Sequence, residues 1–162
     1  VGKALDTIIS QATGRVIVAS FASHIHRMQQ ICDAAVRNGR KVAVTGRSMV
    51  QNTDIARRLG YLNIADKNLI DAYDLKGCPS NSYVVMCTGS QGEPLSALAR
   101  IANGNHKTIS IEEGDTVIIS ATPVPGNEKA VTKVVNDLAK IGADLTSPEH
   151  GFMYRVMLQQ KN

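Results

Sequence analysis

One stretch of the sequence decides the fold: Tyr83-Val-Val-Met-Cys-Thr-Gly-Ser-Gln-Gly-Glu-Pro-Leu-Ser-Ala-Leu-Ala-Arg100. It opens with a continuous apolar run, which predicts a strand buried on both faces. The small polar residues of Thr88–Gly92 follow and predict a tight loop. Leu95, Leu98 and Ile101 are then spaced three apart, which predicts a helix. The stretch therefore predicts a strand, a loop and a helix in direct succession.

The start of this helix has the residues of a helix N-terminus. Ser90 precedes Glu93 by three positions, the spacing of a capping box, and Pro94 suits a first helical turn, where a backbone N–H is not needed. The loop would then present glycines, hydroxyl groups and free backbone N–H groups at the positive end of a helix. Such a position binds anions, most often phosphate. Because glycine turns also serve simply to reverse the chain in α/β domains, this interpretation depends on the other loops.

The same alternation of strand and helix continues along the chain. It predicts an α/β fold, a three-layer, doubly wound and mainly parallel sheet with helices on both faces, of Rossmann-like type. A short helix near 68–74 and a short strand at 108–111 are also predicted. The main predicted strands are 16–20, 41–45, 82–88 and 116–120, and the main helices begin near 2, 23, 46, 94 and 127.

A glycine follows each of the five main predicted helices. A residue with left-handed backbone geometry commonly ends a helix at this position, and glycine adopts that geometry most easily. The five glycines are Gly14, Gly39, Gly60, Gly104 and Gly142.

The composition excludes several classes of protein. With 162 residues, of which 43% are hydrophobic and 20% charged, the chain is typical of one soluble globular domain. Six aromatic residues and no Trp argue against an aromatic platform for stacking bases. Three cysteines without metal-type spacing argue against a disulfide framework, and neither a leader nor a long apolar run is found. We therefore expect a reduced, cytoplasmic protein that does not enter a membrane.

Positive charge is concentrated in the first part of the chain. Residues 1–60 contain nine Lys or Arg against three Asp or Glu, whereas residues 61–162 contain nine against eleven. A basic part of this kind predicts an acidic partner such as nucleic acid. The alternative is that much of the charge lies on solvated helix faces, as the positions of Arg57 and Arg58 indicate.

Each core strand ends in small, hydroxyl-bearing or glycine residues. In a parallel sheet these loops lie at one edge, beyond the carboxyl ends of the strands, where ligands bind. Arg47 adds a guanidinium suited to phosphate, and His24 lies in the first turn of its helix. The four loops together predict a crevice for a phosphate or sugar-phosphate. They contain residues 20–23, 45–48, 88–92 and 120–122 with 126–127.

The residues alone do not form a complete catalytic set. His24 and His26 are two positions apart and would point to different sides of a helix, so they do not predict a metal site. Gly89-Ser-Gln-Gly92 lacks the spacing of a nucleophile elbow, and no Gly-x-Gly-x-x-Gly follows the first strand. Cys87 lies in a strand and is predicted to be a core residue. From its residues, the chain is an anion-binding α/β domain.

Several motifs resemble one enzyme family, in the same order along the chain. They are Val18-Ala-Ser-Phe-Ala-Ser-His-Ile-His-Arg-Met-Gln-Gln30, Val44-Thr-Gly-Arg-Ser-Met-Val50, Cys87-Thr-Gly-Ser-Gln-Gly-Glu-Pro-Leu-Ser-Ala-Leu-Ala-Arg100, Glu113-Gly-Asp-Thr-Val-Ile-Ile119 and Pro123-Val-Pro-Gly-Asn-Glu128. Residues 1–145 thus resemble the β-CASP domain of ribonuclease J, which that family inserts into a metallo-β-lactamase-type domain. The family's His-x-His-x-Asp-His and His-x-Ser-Gly-His motifs are not found in this sequence.

The resemblance implies that the chain is part of a zinc-dependent ribonuclease that degrades RNA from a 5′-monophosphate end and also cuts internally. The two zinc ions and their ligands would be on the metallo-β-lactamase domain, where metal-activated water would attack the phosphodiester. The β-CASP residues would clamp RNA against that domain, so this chain alone is predicted to be inactive, with no catalytic residue, metal ligand or cofactor of its own. RNA, the metallo-β-lactamase domain and a second copy of the chain are the implied partners.

The resemblance also implies which residues contact RNA. Ser20, Ser23 and His24 would face the channel between the two domains. The crevice that holds the RNA backbone would be lined by Arg47, Ser48, Thr88, Gly89, Ser90, Gln91, Gly92 and Glu93.

Two alternatives stay open. The same crevice fits a stand-alone α/β protein that binds a phosphorylated small molecule. Residues 146–162 do not match the family, and there Phe152, Val156 and Leu158 predict either an edge strand or a short helix.

Overall fold

The structure, a computed structural model, describes residues 2–141, 143–146 and 154–158. No helix in these ranges is long and apolar enough to cross a membrane. The helices are α1 (Gly2–Gln11), α2 (Ile25–Arg37), α3 (Arg47–Arg58), α4 (Ala97–Ala102) and α5 (Glu128–Lys140). The strands are β1 (Val16–Ala19), β2 (Lys41–Thr45), β3 (Leu69–Ile70), β4 (Tyr83–Cys87), β5 (Thr116–Ile119), β6 (Ala143–Thr146) and β7 (Tyr154–Leu158).

The strands of the described ranges form one sheet in the order β3-β2-β4-β1-β5-β7-β6. The first five in this order are parallel, and β7 is antiparallel to its neighbours β5 and β6. From β1 the chain proceeds through β2 to the β3 edge, and from β4 it proceeds through β5 to the β6 edge. This path is doubly wound and the sheet is mainly parallel, so the predicted fold class is confirmed.

Helices cover both faces of the sheet and bury its apolar side chains. Leu5 of α1, Met28 of α2 and Met49 of α3 are fully buried on one face, and Leu98 of α4 and Leu138 of α5 are fully buried on the other. Burying each such side chain stabilises the fold by about 1.5–3 kcal/mol. These two apolar layers stabilise the sheet, and the polar loops at its edge are available for other roles.

The parallel register brings four strand ends to the same level. Ala19 of β1 pairs with Cys87 of β4 and with Ile119 of β5, and Thr45 of β2 also pairs with Cys87. The loops that follow these strands meet at one edge of the sheet, which confirms the prediction that the four loops share an edge. Neighbouring loops lead to helices on opposite faces, and ligands bind in the crevices that this divergence leaves. The term carboxyl rim is used here for residues 20–24, 45–48, 88–93 and 120–127.

The predicted start of α4 is wrong. The helix begins after Ser96, whose hydroxyl caps its first turn, and the predicted capping box of Ser90 and Glu93 is not formed. Pro94 and Leu95 occupy the centre of a turn in which the Ser96 N–H donates to the Glu93 carbonyl (3.0 Å), and proline is favoured at that position of a turn. Leu95 is 88% exposed, so it does not belong to the apolar face of the helix.

Three of the five predicted glycine caps are confirmed. Gly39, Gly60 and Gly104 have φ angles of 70°, 78° and 79°, in the left-handed region. Gly14 does not have a positive φ, and the prediction is wrong there. A Cβ atom at Gly14 would lie 2.6 Å from a carbonyl oxygen of the turn before β5, so glycine is needed there for close approach. Gly142 lies outside the described residues.

Both short elements were predicted wrongly. In place of a helix at 68–74, the chain forms 3-10 turns at Asp66–Asn68 and Ala72–Asp74 on either side of β3. At 108–111 no strand forms, because the N–H groups of Thr108 and Ile109 donate to His106 Nδ1 (3.2 and 3.1 Å) and not to a neighbouring strand.

Residues 143–146 and 154–158 extend the sheet. Of the predicted edge strand or helix, the structure shows a strand, β7, which contains Val156 and Leu158. It lies between β5 and β6 and is therefore not an edge strand. Phe152 lies outside the described residues.

Candidate functional site

Direct contacts join neighbouring loops of the carboxyl rim. The backbone N–H of Ser20 donates to the Cys87 carbonyl oxygen (3.1 Å), and that of Ser120 donates to the last residue of β1 (2.8 Å). Gly46 is so close to Thr88 that a Cβ atom there would lie 2.4 Å from Thr88 Oγ1. A polymer crossing this edge would therefore meet the loops as one surface.

Gln91 ties the β4 loop to the loop before α5. Its Nε2 donates to the carbonyl oxygen of Thr122 (3.1 Å), and its Oε1 accepts from the Val124 N–H (2.7 Å) and from Asn127 Nδ2 (3.2 Å). The residue is only 5% exposed. Both polar atoms of the side chain are engaged within the protein, so the structure gives Gln91 a positioning role.

The backbone donors at the start of α4 are also engaged. The N–H of Ala97 donates to Thr88 Oγ1 (3.1 Å), that of Leu98 to the Thr88 carbonyl (3.1 Å), and that of Ala99 to Ser96 Oγ (3.3 Å). An anion at a helix N-terminus binds through such groups when they are free. The structure therefore does not support the predicted anion site at this helix start.

The remaining residues of the β4 loop are mostly hidden. Gly89, Ser90 and Gly92 are buried, and the Gly92 N–H donates to the Gly89 carbonyl (3.0 Å). Glu93 is exposed, but its carboxylate would repel a phosphate. The loop supports the rim by packing, and its contact with RNA stays a prediction.

The loop after β1 has two exposed polar residues among those predicted from the sequence. Ser23 and His24 are exposed, whereas Ser20 is 2% exposed and its Oγ has no partner among the described residues. His24 caps α2, since its Nδ1 accepts the backbone N–H of Arg27 (3.0 Å), which leaves Nε2 to face outward. The guanidinium of Arg27 donates to Ser120 Oγ across the rim. This loop brings an unpaired hydroxyl, an imidazole and a guanidinium to one part of the rim.

The loop after β2 presents the start of a long helix. Arg47 and Ser48 are the first two residues of α3 and both are exposed. Gly46 precedes them and provides no side-chain cap for the helix N–H groups. Within the described residues, Arg47 forms no ion pair. This helix start, and not that of α4, has the features that bind an anion.

A cleft of about 670 Å³ opens beside this helix start, and it is called here the β2 cleft. Of its polar residues, the sequence predicted only Thr45 and Arg47 to lie in a ligand crevice, because the others come from separate segments without a recognisable ligand-binding motif. The cleft is lined by Val44, Thr45, Gly46, Arg47, Val50, Gln51, Thr53, Asp54, Arg57, Leu69, Ile70, Asp71, Ala72, Tyr73, Arg100, His106, Lys107 and Thr108.

His106 links this cleft to the rim. Its Nδ1 accepts two backbone N–H groups, so Nε2 must hold the ring proton and donate to Thr45 Oγ1 (2.9 Å). Burial lowers the pKa of His106, and the charge of Arg100 lowers it further. The imidazole is therefore neutral at neutral pH, and the Thr45 hydroxyl keeps its own proton for donation to another group.

Most cations of residues 1–60 are committed to contacts within the protein. Arg58 is exposed, as predicted for a solvated helix face, whereas Arg57 is half-buried. The sequence count therefore overstates the charge available to a ligand. The ion pairs are Arg15–Asp115, Arg37–Asp6, Arg57–Asp66 and Arg58–Asp54, and Arg40 donates to the backbone carbonyls of Ala12, Gly14 and Tyr83.

The described residues do not fit a zinc site. No group of three His, Cys, Asp or Glu among them is arranged to hold a metal ion. Both nitrogens of His106 are engaged, and the rings of His24 and His26 are 6.5 Å apart. Burial raises the pKa of the Cys87 thiol to about 12, so it is not a thiolate at neutral pH.

The fold and the rim define a doubly wound α/β domain with a polar ligand-binding edge. A model of the ribonuclease J β-CASP domain family matches residues 13–138. The chain belongs to this family, and the resemblance stated from its motifs is confirmed.

Curated relatives agree with this assignment. The chain is 49% identical over 143 residues to ribonuclease J of Mycolicibacterium smegmatis, and the aligned residues cover 88% of the chain and 26% of the relative. It is 47% identical over 148 residues to ribonuclease J of Thermus thermophilus, covering 91% and 26%. Ribonuclease J2 of Bacillus subtilis is 45% identical over 141 residues, covering 87% and 25%. The chain thus spans about a quarter of the length of these relatives.

A solved structure shows the same fold. The crystal structure of a Corynebacterium glutamicum protein matches 99% of the chain and 81% of its own length, with a TM-score of 0.53. The sequence identity is 12%, so this likeness concerns the fold alone.

Proposed function

We propose that the carboxyl rim binds the sugar-phosphate backbone of RNA, and that the chain serves as the RNA-clamping β-CASP domain of a ribonuclease J-like enzyme. In the whole enzyme, RNA would lie between this rim and a metallo-β-lactamase domain outside these residues. Zinc dependence, cleavage from a 5′-monophosphate end, internal cleavage, a cytoplasmic location and a homodimer belong to this proposal for the whole enzyme. The residues of this chain would bind and orient RNA and would not cut it.

One observation supports the rim most strongly: Arg47 is exposed, forms no ion pair with the described residues and lies at the start of α3, where Gly46 provides no side-chain cap. The buried hydroxyl of Ser20 at the junction of β1 and β4 also lacks a partner among the described residues, and such atoms are rare unless a ligand or water supplies the hydrogen bond. Ser23, His24 and Arg47 are exposed along the same edge. Hydroxyl, imidazole and guanidinium groups are typical ligands of phosphate oxygens and carry no sequence preference.

We expect Arg47→Ala to weaken binding of single-stranded RNA by about three- to tenfold, alike for different sequences. The lost phosphate contact should also reduce the slope of log affinity against log salt by about 0.7. Fluorescence anisotropy with two unrelated RNA oligonucleotides at several salt concentrations measures both. Lys140→Ala is the matched control, because it removes one exposed charge at the far end of α5. Equal losses for the two variants would assign the effect to net charge and contradict the rim contact.

We expect Ser20→Ala to separate binding from stability. Because the hydroxyl has no partner among the described residues, its removal should change the free energy of unfolding by less than about 0.5 kcal/mol. The affinity for RNA should fall by about three- to tenfold, which corresponds to the free energy of one hydrogen bond. Urea unfolding and the anisotropy assay give the two quantities. Unchanged RNA affinity would show that this hydroxyl does not contact RNA.

The stand-alone alternative predicts a different result from the same assays. A protein for a phosphorylated metabolite would bind a small molecule tightly and would show no affinity for RNA even at low salt, where phosphate contacts are strongest. That outcome would overturn the clamp proposal.

A further inference from the structure

The β2 cleft has the size of a small-molecule site. Its volume of about 670 Å³ is within the range of ligand pockets, roughly 300–1,000 Å³. It lies beside the carboxyl rim, at the β3 side of the sheet, and its walls come from α3, the residues after β3, α4 and the loop after α4. It shares Thr45, Gly46 and Arg47 with the carboxyl rim and extends beyond the proposed RNA surface.

The cleft has an excess of unpaired positive charge. Arg47, Arg100 and Lys107 line it, and none of them forms an ion pair with the residues that the structure describes. Of its two carboxylates, Asp54 pairs with Arg58 (2.9 Å) and Asp71 accepts the N–H of Tyr73 (2.9 Å). The lining thus attracts an anion.

Two buried polar atoms in the cleft lack partners among the described residues. They are the Oγ1 of Thr53, a residue only 6% exposed, and the Nε of Arg100. Buried polar groups are nearly always satisfied, so two in one cleft indicate a ligand with hydrogen-bonding groups. The start of α3, with no side-chain cap at Gly46, adds free backbone donors at the same wall.

The rest of the lining is apolar. Val44, Leu69 and Ile70 are half-buried in the cleft, and Tyr73 stands at its side with 74% of its surface exposed. A bare phosphate would leave these surfaces uncovered. A ligand with an anionic part and a flat, partly apolar part would cover both.

We propose that the β2 cleft binds a nucleotide, with its phosphate at Arg47, Arg100 and Lys107 and its base against Leu69, Ile70 and Tyr73. The nucleotide is either a free mononucleotide or one residue of an RNA strand that crosses the rim. The site shares Arg47 with the carboxyl rim of the proposed function, whereas Arg100 and Lys107 lie outside the rim, so substitutions of these two residues test the cleft separately.

Isothermal titration of the chain with adenosine 5′-monophosphate, uridine 5′-monophosphate, adenosine and inorganic phosphate tests the site. We expect both mononucleotides to bind, and adenosine and phosphate to bind at least about tenfold more weakly, since each has only one of the two parts. Lys107→Ala and Arg100→Met should each weaken mononucleotide binding by about tenfold. A dissociation constant of about 10 mM corresponds to a binding free energy near the weakest that can be measured. If neither mononucleotide binds at that concentration, the proposal is overturned.

Controls separate this site from the rim. Lys140→Ala should leave mononucleotide affinity unchanged, and Thr53→Val, which keeps the side-chain shape, should weaken it. Thermal unfolding shows whether Arg100→Met is folded, and the exposed Lys107→Ala serves if it is not. Equal losses in Lys107→Ala and Lys140→Ala would contradict the site.

The source of the nucleotide follows from competition. If mononucleotide displaces an RNA oligonucleotide and Lys107→Ala weakens RNA binding, the cleft holds a nucleotide of the strand. If mononucleotide binds without affecting RNA, the cleft holds a free nucleotide.

Discussion

Gly92→Ala is expected to lower the free energy of unfolding by more than about 4 kcal/mol, or to prevent folding. A Cβ atom at this position would lie 2.3 Å from the carbonyl carbon of Ala130 and 2.5 Å from the backbone nitrogen of Val131, both in α5. Backbone atoms of a helix cannot move aside as the end of a side chain can. The φ angle of 72° adds the strain that any residue with a Cβ atom meets there.

The matched control is Gly104→Ala, which separates the two effects. Gly104 has nearly the same φ angle, 79°, but no atom of the residues that the structure describes lies within 4 Å of the position that a Cβ atom would take there. Its substitution should cost only about 1 kcal/mol. Urea unfolding followed by circular dichroism compares the two variants. If they are destabilised equally, the β4 loop is not pressed against α5 as described.

Asp115→Ala is expected to lower the free energy of unfolding by about 3–5 kcal/mol. Asp115 is 2% exposed, and its carboxylate accepts the Arg15 guanidinium (2.7 Å), the Arg15 N–H (3.0 Å) and the Glu112 N–H (2.9 Å). Burial raises the pKa of Asp115, although these partners lower it. The loss therefore comes mainly from leaving Arg15 and two backbone donors without an acceptor, and less from the strength of the ion pair itself.

Asp137→Ala provides the comparison for a more exposed pair. Lys133 and Asp137 form an ion pair one turn apart on α5 (2.8 Å), and their side chains are 74% and 21% exposed. Its removal should cost about 0.5 kcal/mol or less. Equal losses in Asp115→Ala and Asp137→Ala, measured by urea unfolding at neutral pH, would show that the Arg15–Asp115 contact is not buried in solution.

The strands and the shared edge could be predicted from the sequence because their causes are local. A continuous apolar run such as Val16–Ala19 is typical of a strand in a sheet that helices cover on both faces. Parallel strands must then bring their carboxyl ends together, so Ser20, Gly46 and Thr88 were placed on one edge correctly.

The start of α4 and the roles within the β4 loop depended on contacts that the sequence does not show. Ser90 and Ser96 are both residues that can cap a helix. Ser96 is the cap in the structure, because Pro94 lies in a turn that precedes the helix. Gln91 has a polar side chain of the kind that binds ligands, but the residues with which it forms hydrogen bonds are more than 30 positions away in the sequence.

The β2 cleft could not be predicted for a related reason. Arg100 is at the end of a short helix and Lys107 in the loop after it, about 50 residues from Arg47. No spacing rule connects such residues, because the pairing of β2 with β4 brings them together.

The most direct test of RNA binding at the carboxyl rim is amide chemical-shift mapping of the chain during titration with single-stranded RNA at low salt. We expect the perturbed amides to be concentrated at residues 20–24, 46–48 and 88–93, and the perturbation to fade as salt is raised. Perturbations concentrated at the opposite edge of the sheet, at residues 14–15, 39–41 and 113–115, would contradict RNA binding at the rim, as would an unchanged spectrum.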